Sequence, residues 1–219
     1  MKQAFTFADK VENAPVKTKT KRNSKMSEET KNEIVKSLDE QKFEMIQRKA
    51  MMLSKSELIP KQFQGKVADC VIAMDMAERT KSNPLAVLQN LHVIHGKPSW
   101  SAQFIIAVIN QCGRFEPLRF SIRGEGDDYG CVAYTHYLGD EKTKENAVKS
   151  PRVTIEMAKK EGWYGKAGSK WQTMPELMVQ YRAATLFGRL FCPDLLMGMQ
   201  TVDELADIKR EPKQVILPE

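Results

Sequence analysis

The segment TMPELMVQYRAATLFGRLF, residues 173–191, is apolar around most of a helical circumference. A helix turns about 100° per residue, so Leu177, Tyr181, Ala184, Gly188 and Phe191 share one face. Most other positions are apolar too, and only a narrow stripe of Arg182, Thr185 and Arg189 is polar. A helix of that kind has to be surrounded by other elements. Thr173 and Glu176 have capping-box spacing, with Pro175 in the first turn, so the helix is expected to begin there. The two arginines lie seven residues apart and nearly superimpose. An unpaired buried charge is prohibitively costly. They therefore face either partner carboxylates or a groove that receives phosphate, whose geometry the guanidinium fork matches.

The elements available to surround this helix are of both kinds. Residues 27–53 read as a helix capped by Ser27, with Ile34, Leu38, Met45 and Met52 as its apolar face. Pro60 ends it. FQGKVADCVIAMDMAERTK reads as a second helix, apolar almost all round and so expected to be buried, and Pro84 opens a third, PLAVLQN. LHVIHG has strand character and is followed by a Gly96-Lys97-Pro98 turn. SWSAQFIIAVINQCG is a serine-capped helix stopped by Gly113. FEPLRFSIRGEGDDYGCVAYTHYLG alternates around a Gly/Asp turn, the pattern of a hairpin. A charged loop over 140–151 follows, then VTIEMAKKEG, which fits strand or helix. The expected architecture is α+β, with helices before and after a small antiparallel sheet.

Charge divides the chain further. Residues 1–25 carry seven basic groups against two acidic ones, and 142–182 carry nine against four. Residues 1–26 are polar, basic and aperiodic, so they are read as a disordered tail. Residues 27–200 are read as one domain and 201–219 as a short C-terminal tail. No apolar run approaches the ~20 residues a bilayer requires. The N-terminus lacks a signal-peptide pattern, and the four cysteines form no C-x-x-C pair. The expectation is a cytoplasmic protein with free, buried thiols and no membrane partner.

Several stretches point to polyanion binding. GWYGKAGSKW, residues 162–171, places Trp163, Tyr164 and Trp171 on a glycine-rich loop with Lys166 and Lys170 between them. Rings that stack on bases and lysines that meet phosphates suit single-stranded nucleic acid. The alternative is that the tryptophans fold inward and pin the loop to the core, as at least one is expected to do. On the helix after Ser99, Trp100, Gln103, Asn110 and Gln111 gather on one stripe. That stripe suits either base contact or plain solvent exposure.

Catalytic patterns are weaker. There is no P-loop, and RGEGDDYG lacks the strand–turn–helix context of a dinucleotide fingerprint. Asp127 and Asp128 would serve a metal-dependent nuclease only with further ligands. His92 and His95 point to opposite faces of a strand. No catalytic residue, metal or cofactor is expected.

In order, four pieces resemble the RecT/Redβ superfamily of phage single-strand DNA annealing proteins. They are LHVIHGKPSWSAQFIIAVINQCGRF, RFSIRGEGDDYGCVAYTHYLG, IEMAKKEGWYGKAGSKW and PELMVQYRAATLFGRLFCPDL, together covering about residues 85–200. The resemblance implies an ATP- and metal-independent recombinase of the bacterial host cytoplasm. Such a protein pairs complementary strands as a ring or helical filament beside a 5′–3′ exonuclease. Its ligands would be single-stranded DNA and the annealed duplex intermediate. By position it assigns Lys97, Lys166, Lys170, Arg182 and Arg189 to phosphates, with Trp171 closing the loop. Arg114, Arg119 and Arg123 around the hairpin are additional candidates, as are Trp100 and Gln103. An Asn110-Gln111 pair stands where the family often carries arginines. A non-annealing single-strand-binding protein is the alternative, and a metal-dependent nuclease a more distant one. Subunit contacts are expected from the N-terminal helices and from Phe191–Met199.

Overall fold

The computed structural model describes residues 28–94 and 96–207, with side chains between residues 37 and 205. The basic tail, the Ser27 cap, His95 and residues 208–219 lie outside the described residues. Contacts divide the chain into two compact units, residues 1–43 and 44–219. The first helix, α1 (Glu28–Ser54), runs through that division. In the first unit its Leu38 and Phe43 are exposed.

The second unit is a mixed α+β fold. In it the apolar face expected for α1 is corrected: Met45 and Met52 are exposed, while Ile46, Ala50 and Leu53 pack on the core. A 3-10 turn (Lys61–Phe63) leads to α2 (Val67–Arg79). This helix buries one face only, through Cys70, Ala73, Met74 and Ala77, and leaves Ile72 exposed, so it is not enclosed all round. Helix α3 (Pro84–Asn90) begins where Pro84 occupies the first turn and the Asn83 side chain accepts from the Leu85 N–H.

Strands β1 (Leu91–Ile94) and β2 (Lys97–Trp100) then form a tight antiparallel pair. Lys97 and Pro98 thus belong to a strand rather than a turn, and Trp100 ends that strand instead of heading a helix. Helix α4 (Ala102–Gln111) starts one residue after its cap, Ser101, whose hydroxyl accepts from the Phe104 N–H.

The hairpin is β3 (Arg119–Arg123) and β4 (Gly130–Thr135), joined through a 3-10 turn at Gly126–Asp128. Along the other edge of β4 run β5 (Val148–Lys149) and β6 (Val153–Thr154). Ser150 fills the gap between them, exchanging hydrogen bonds with Ala133 through its backbone N–H and its hydroxyl. The ambiguous VTIEMAKKEG resolves into both alternatives, since β6 passes directly into α5 (Ile155–Lys160), capped by the Thr154 side chain.

Helix α6 (Lys170–Thr173) precedes α7 (Pro175–Phe191). The predicted capping box at Thr173 does not form. Thr173 closes α6, and the residue before α7 is Met174, which supplies no side-chain cap. Helix α7 lies against the inner face of the sheet and against α4, burying Met178, Val179, Ala183, Ala184 and Phe187. Its Gly188 permits close approach: a β-carbon there would come within 3.4 Å of Ile105 and Ile109 on α4.

Beyond α7 the chain continues through α8 (Pro193–Leu196), β7 (Gln200–Thr201) and α9 (Val202–Asp207). Strand β7 pairs in parallel with β2, Ser99 opposite Gln200 and Trp100 opposite Thr201. Thr201, Glu204 and Leu205 are buried, so the domain extends past residue 200 and the tail cannot begin at 201.

Candidate nucleic-acid interface

The α7 arginine stripe is the first candidate, and it is occupied. Glu204 is a 6 % exposed carboxylate that accepts from Arg189 Nη2 at 2.7 Å through Oε2 and faces Arg182 Nη1 at 3.3 Å through Oε1. The same carboxylate accepts from the Thr201 N–H (2.9 Å), while the Thr201 hydroxyl accepts from the Glu204 N–H (3.2 Å). Thr201-Val202-Asp203-Glu204 is thus a reciprocal capping box, and it is this box that anchors both arginines. Arg182 is buried and its guanidinium carbon lies 4.0 Å from the centre of the Trp163 ring, a cation–π contact. Its place in the fold is structural, and a direct phosphate contact is corrected. Arg189 keeps about two-fifths of its side chain in solvent and borders a depression of ≈ 660 Å³ with Lys97.

The glycine-rich loop is tied down as well. Trp171 is 1 % exposed and packs against Trp163 with ring centres 5.5 Å apart and planes tilted by 33°, and Trp163 itself packs on the core. The Ser169 hydroxyl donates to the Trp163 carbonyl, and Gln172 Nε2 to that of Tyr164. Trp171 is thus closed to a base, while Trp163 is half-buried, with Arg182 over its ring. Trp100, at 1 % exposure, packs on Phe104 and is corrected in the same way. Gln103 is exposed but donates to the Tyr181 hydroxyl at 2.8 Å. Arg114 is committed to Asp194 at 2.5 Å, which raises the guanidinium's pKa and lowers that of the carboxyl. Lys170 is exposed on α6, and Lys166 is half-buried in the loop before it.

The strand register assembles a different surface. On a strand, alternate residues share a face, and residues paired across strands share it too. Phe120, Ile122, Cys131 and Ala133 point to α7 and the core. The opposite face therefore carries Arg119, Ser121 and Arg123 from β3, Val132 and Tyr134 from β4, and Lys149 from β5. Arg119, Tyr134 and Lys149 form one cross-strand row, an aromatic ring with a cation on each side. Lys142, Thr143 and Lys144 stand beside the sheet and complete a trough of ≈ 660 Å³, also bordered by Arg123, His136 and Arg152.

The acid in this trough is spent. Asp128 is held by both terminal nitrogens of Arg152, at 2.7 and 3.0 Å, and that contact keeps its carboxyl below the usual aspartate range. Asp127 is paired with Lys159. Among the described residues, no three of the metal-ligating types cluster, and both turn aspartates are engaged by cations rather than free as ligands. Lys142 is bridged to Glu116 at 3.3 Å. Among the described residues no carboxylate lies within ion-pair distance of Arg119, Arg123, Lys144 or Lys149, which leaves four uncompensated cations around one tyrosine.

Arg119 and Arg123 were legible in the sequence as candidates, whereas Tyr134, Lys144 and Lys149 were not. The available signal was the basic excess over residues 142–182, but only the register shows which of its members reach the sheet. The thiols match expectation in being free, with Cys70, Cys131 and Cys192 buried and Cys112 half-buried. No helix among the described residues is long and apolar enough to cross a membrane. The chain matches no family model, no curated protein and no solved structure.

Proposed function

We propose that the protein binds single-stranded DNA across the outer face of the β3–β4–β5 sheet and promotes annealing of complementary strands, in the manner of the RecT/Redβ proteins that its motif order resembles. The observation that carries this reading is the Arg119–Tyr134–Lys149 row: an aromatic ring flanked by cations on a solvent-facing sheet. Phosphates meet the cations while a base stacks on the ring, and no nucleotide hydrolysis or metal is required. The protein's part is to hold one strand extended and admit its complement. Self-assembly along DNA would add avidity from subunit to subunit. Met45, Met51, Met52 and Leu58 supply exposed apolar surface for such contacts. A 5′–3′ exonuclease that exposes the single strand is the partner this role calls for.

The decisive experiment mixes complementary fluorescent oligonucleotides without nucleotide and times duplex formation with and without protein. Acceleration that falls steeply with salt supports the proposal. Binding without acceleration leaves a single-strand-binding protein instead. Arg119→Ala and Lys149→Ala should each reduce the slope of log affinity against log salt by roughly 0.7, the contribution of one phosphate contact to a single strand. Lys97→Ala tests whether the depression beside Arg189 extends the path.

A further inference from the structure

The trough is walled, and its walls are already in place. The segment 140–147 folds back beside the sheet and is held there at several points. Lys142 pairs with Glu116, a His136 ring nitrogen lies 2.9 Å from the Thr143 carbonyl, and the Lys149 ammonium donates to the Lys144 carbonyl at 3.1 Å. Within the segment, the Asn146 N–H donates to the Thr143 hydroxyl. The opposite edge of the trough is latched by Arg152, which reaches the Asp128 carboxylate and the carbonyls of Arg123 and Asp128. A flat sheet face would receive a continuous stack of bases. A pocket of ≈ 660 Å³ has instead the size range of small-ligand sites, about 300–1,000 Å³.

We infer that this trough is a pocket for one nucleotide of the bound strand, its base against Tyr134 and its two flanking phosphates among Arg123, Lys144 and Lys149. The inference rests on the strand-binding reading of the sheet and adds to it that one nucleotide per protein molecule is drawn out of the stack. The chemistry favours a nucleotide over an acidic peptide. The pocket combines three cations that lack carboxylate partners among the described residues with an aromatic ring, and a nucleotide offers a planar ring between two phosphates. Ser121, Thr143 and His136 add polar groups at the pocket edge. A base inside a duplex must first be unpaired and unstacked to enter such a pocket, at a cost of a few kcal/mol. The pocket thereby selects single strands.

The test is competition against a labelled thymidine oligonucleotide bound to the full chain. The competitors are thymidine 3′,5′-bisphosphate and its abasic counterpart, deoxyribose 3,5-bisphosphate. The nucleotide should compete about tenfold better than the abasic compound, within the range that base–aromatic stacking contributes. Tyr134→Phe should keep that preference, and Tyr134→Ala should abolish it. Lys144→Gln should weaken both competitors equally. Melting curves of each variant confirm folding. Equal competition by the two compounds, or a preference unchanged in Tyr134→Ala, overturns the pocket. If the labelled oligonucleotide still binds in that case, the strand-binding reading stands without it. If the oligonucleotide does not bind at all, both readings fall.

Discussion

At the scale of single residues, the side chains that look most like ligand contacts are the ones the fold consumes. Trp171 is sealed at 1 % exposure, and its buried indole N–H has no hydrogen-bond partner among the described residues. An unpaired buried donor subtracts from stability, so a ring without it loses little. Trp171→Phe should fall within about 1 kcal/mol of the parent, while Trp171→Ala should cost about 3–5 kcal/mol, as for large aromatic truncations. Chemical denaturation followed by fluorescence measures both. The arginine pair makes a second case. Arg182→Ala opens a buried ion pair and should cost about 3 kcal/mol. Its salt dependence of DNA binding should stay close to the parent's once folding is restored by lower temperature. Glu204→Ala should destabilise as well, and combining it with Arg182→Ala should cost less than the two single changes added together. The arginines at 182 and 189 were readable as a paired line. Their partner was not, because Glu204 reaches them only after α8 and β7 have turned the chain back.

At the scale of elements, legibility followed the strength of local signals. Helix α3 was plain because Pro84 occupies its first turn, and the β3–β4 hairpin because RFSIR and GCVAYT alternate around glycines. Strand β2 was hidden: Lys97-Pro98-Ser99-Trp100 has no alternation and contains a proline, and only its partners on both sides make it a strand. The capping boxes follow the same rule, set by neighbouring elements and not by spacing alone. Thr173 has the right spacing, but α6 claims it, whereas the Thr201–Glu204 box lies where a tail was expected. The hairpin carries its own pH dependence. Arg152 lowers the pKa of Asp128 relative to the unfolded chain. That contribution is fully present above the ordinary aspartate range and is lost as pH falls through the lowered folded value. The parent should therefore have the higher denaturant midpoint than Asp128→Asn at neutral pH, and the two should converge at acidic pH, where the parent's carboxyl is protonated.

For the whole molecule, the two faces of one sheet divide the labour. The inner face joins α4 and α7 in the core, and the outer face carries the row that the functional reading rests on. Whether the core is intact can be read from its thiols. Burial pushes Cys131 and Cys192 up to about 11, with Cys70 also raised, so few thiolates form near neutral pH. Native protein should expose only Cys112 to a thiol reagent, and the other three should react at the rate of global unfolding. The fold class was legible because hairpin and helix patterns are local. The candidate interface was legible only in part, since Tyr134 and Lys149 become neighbours through pairing rather than spacing. The parallel match of β2 with β7 joins Ser99 to Gln200 across the intervening hairpin and α7. A nascent chain leaving the ribosome must therefore wait for residue 201 before β2 gains its second neighbour, and during that interval one edge of β2 presents unpaired backbone N–H and C=O groups.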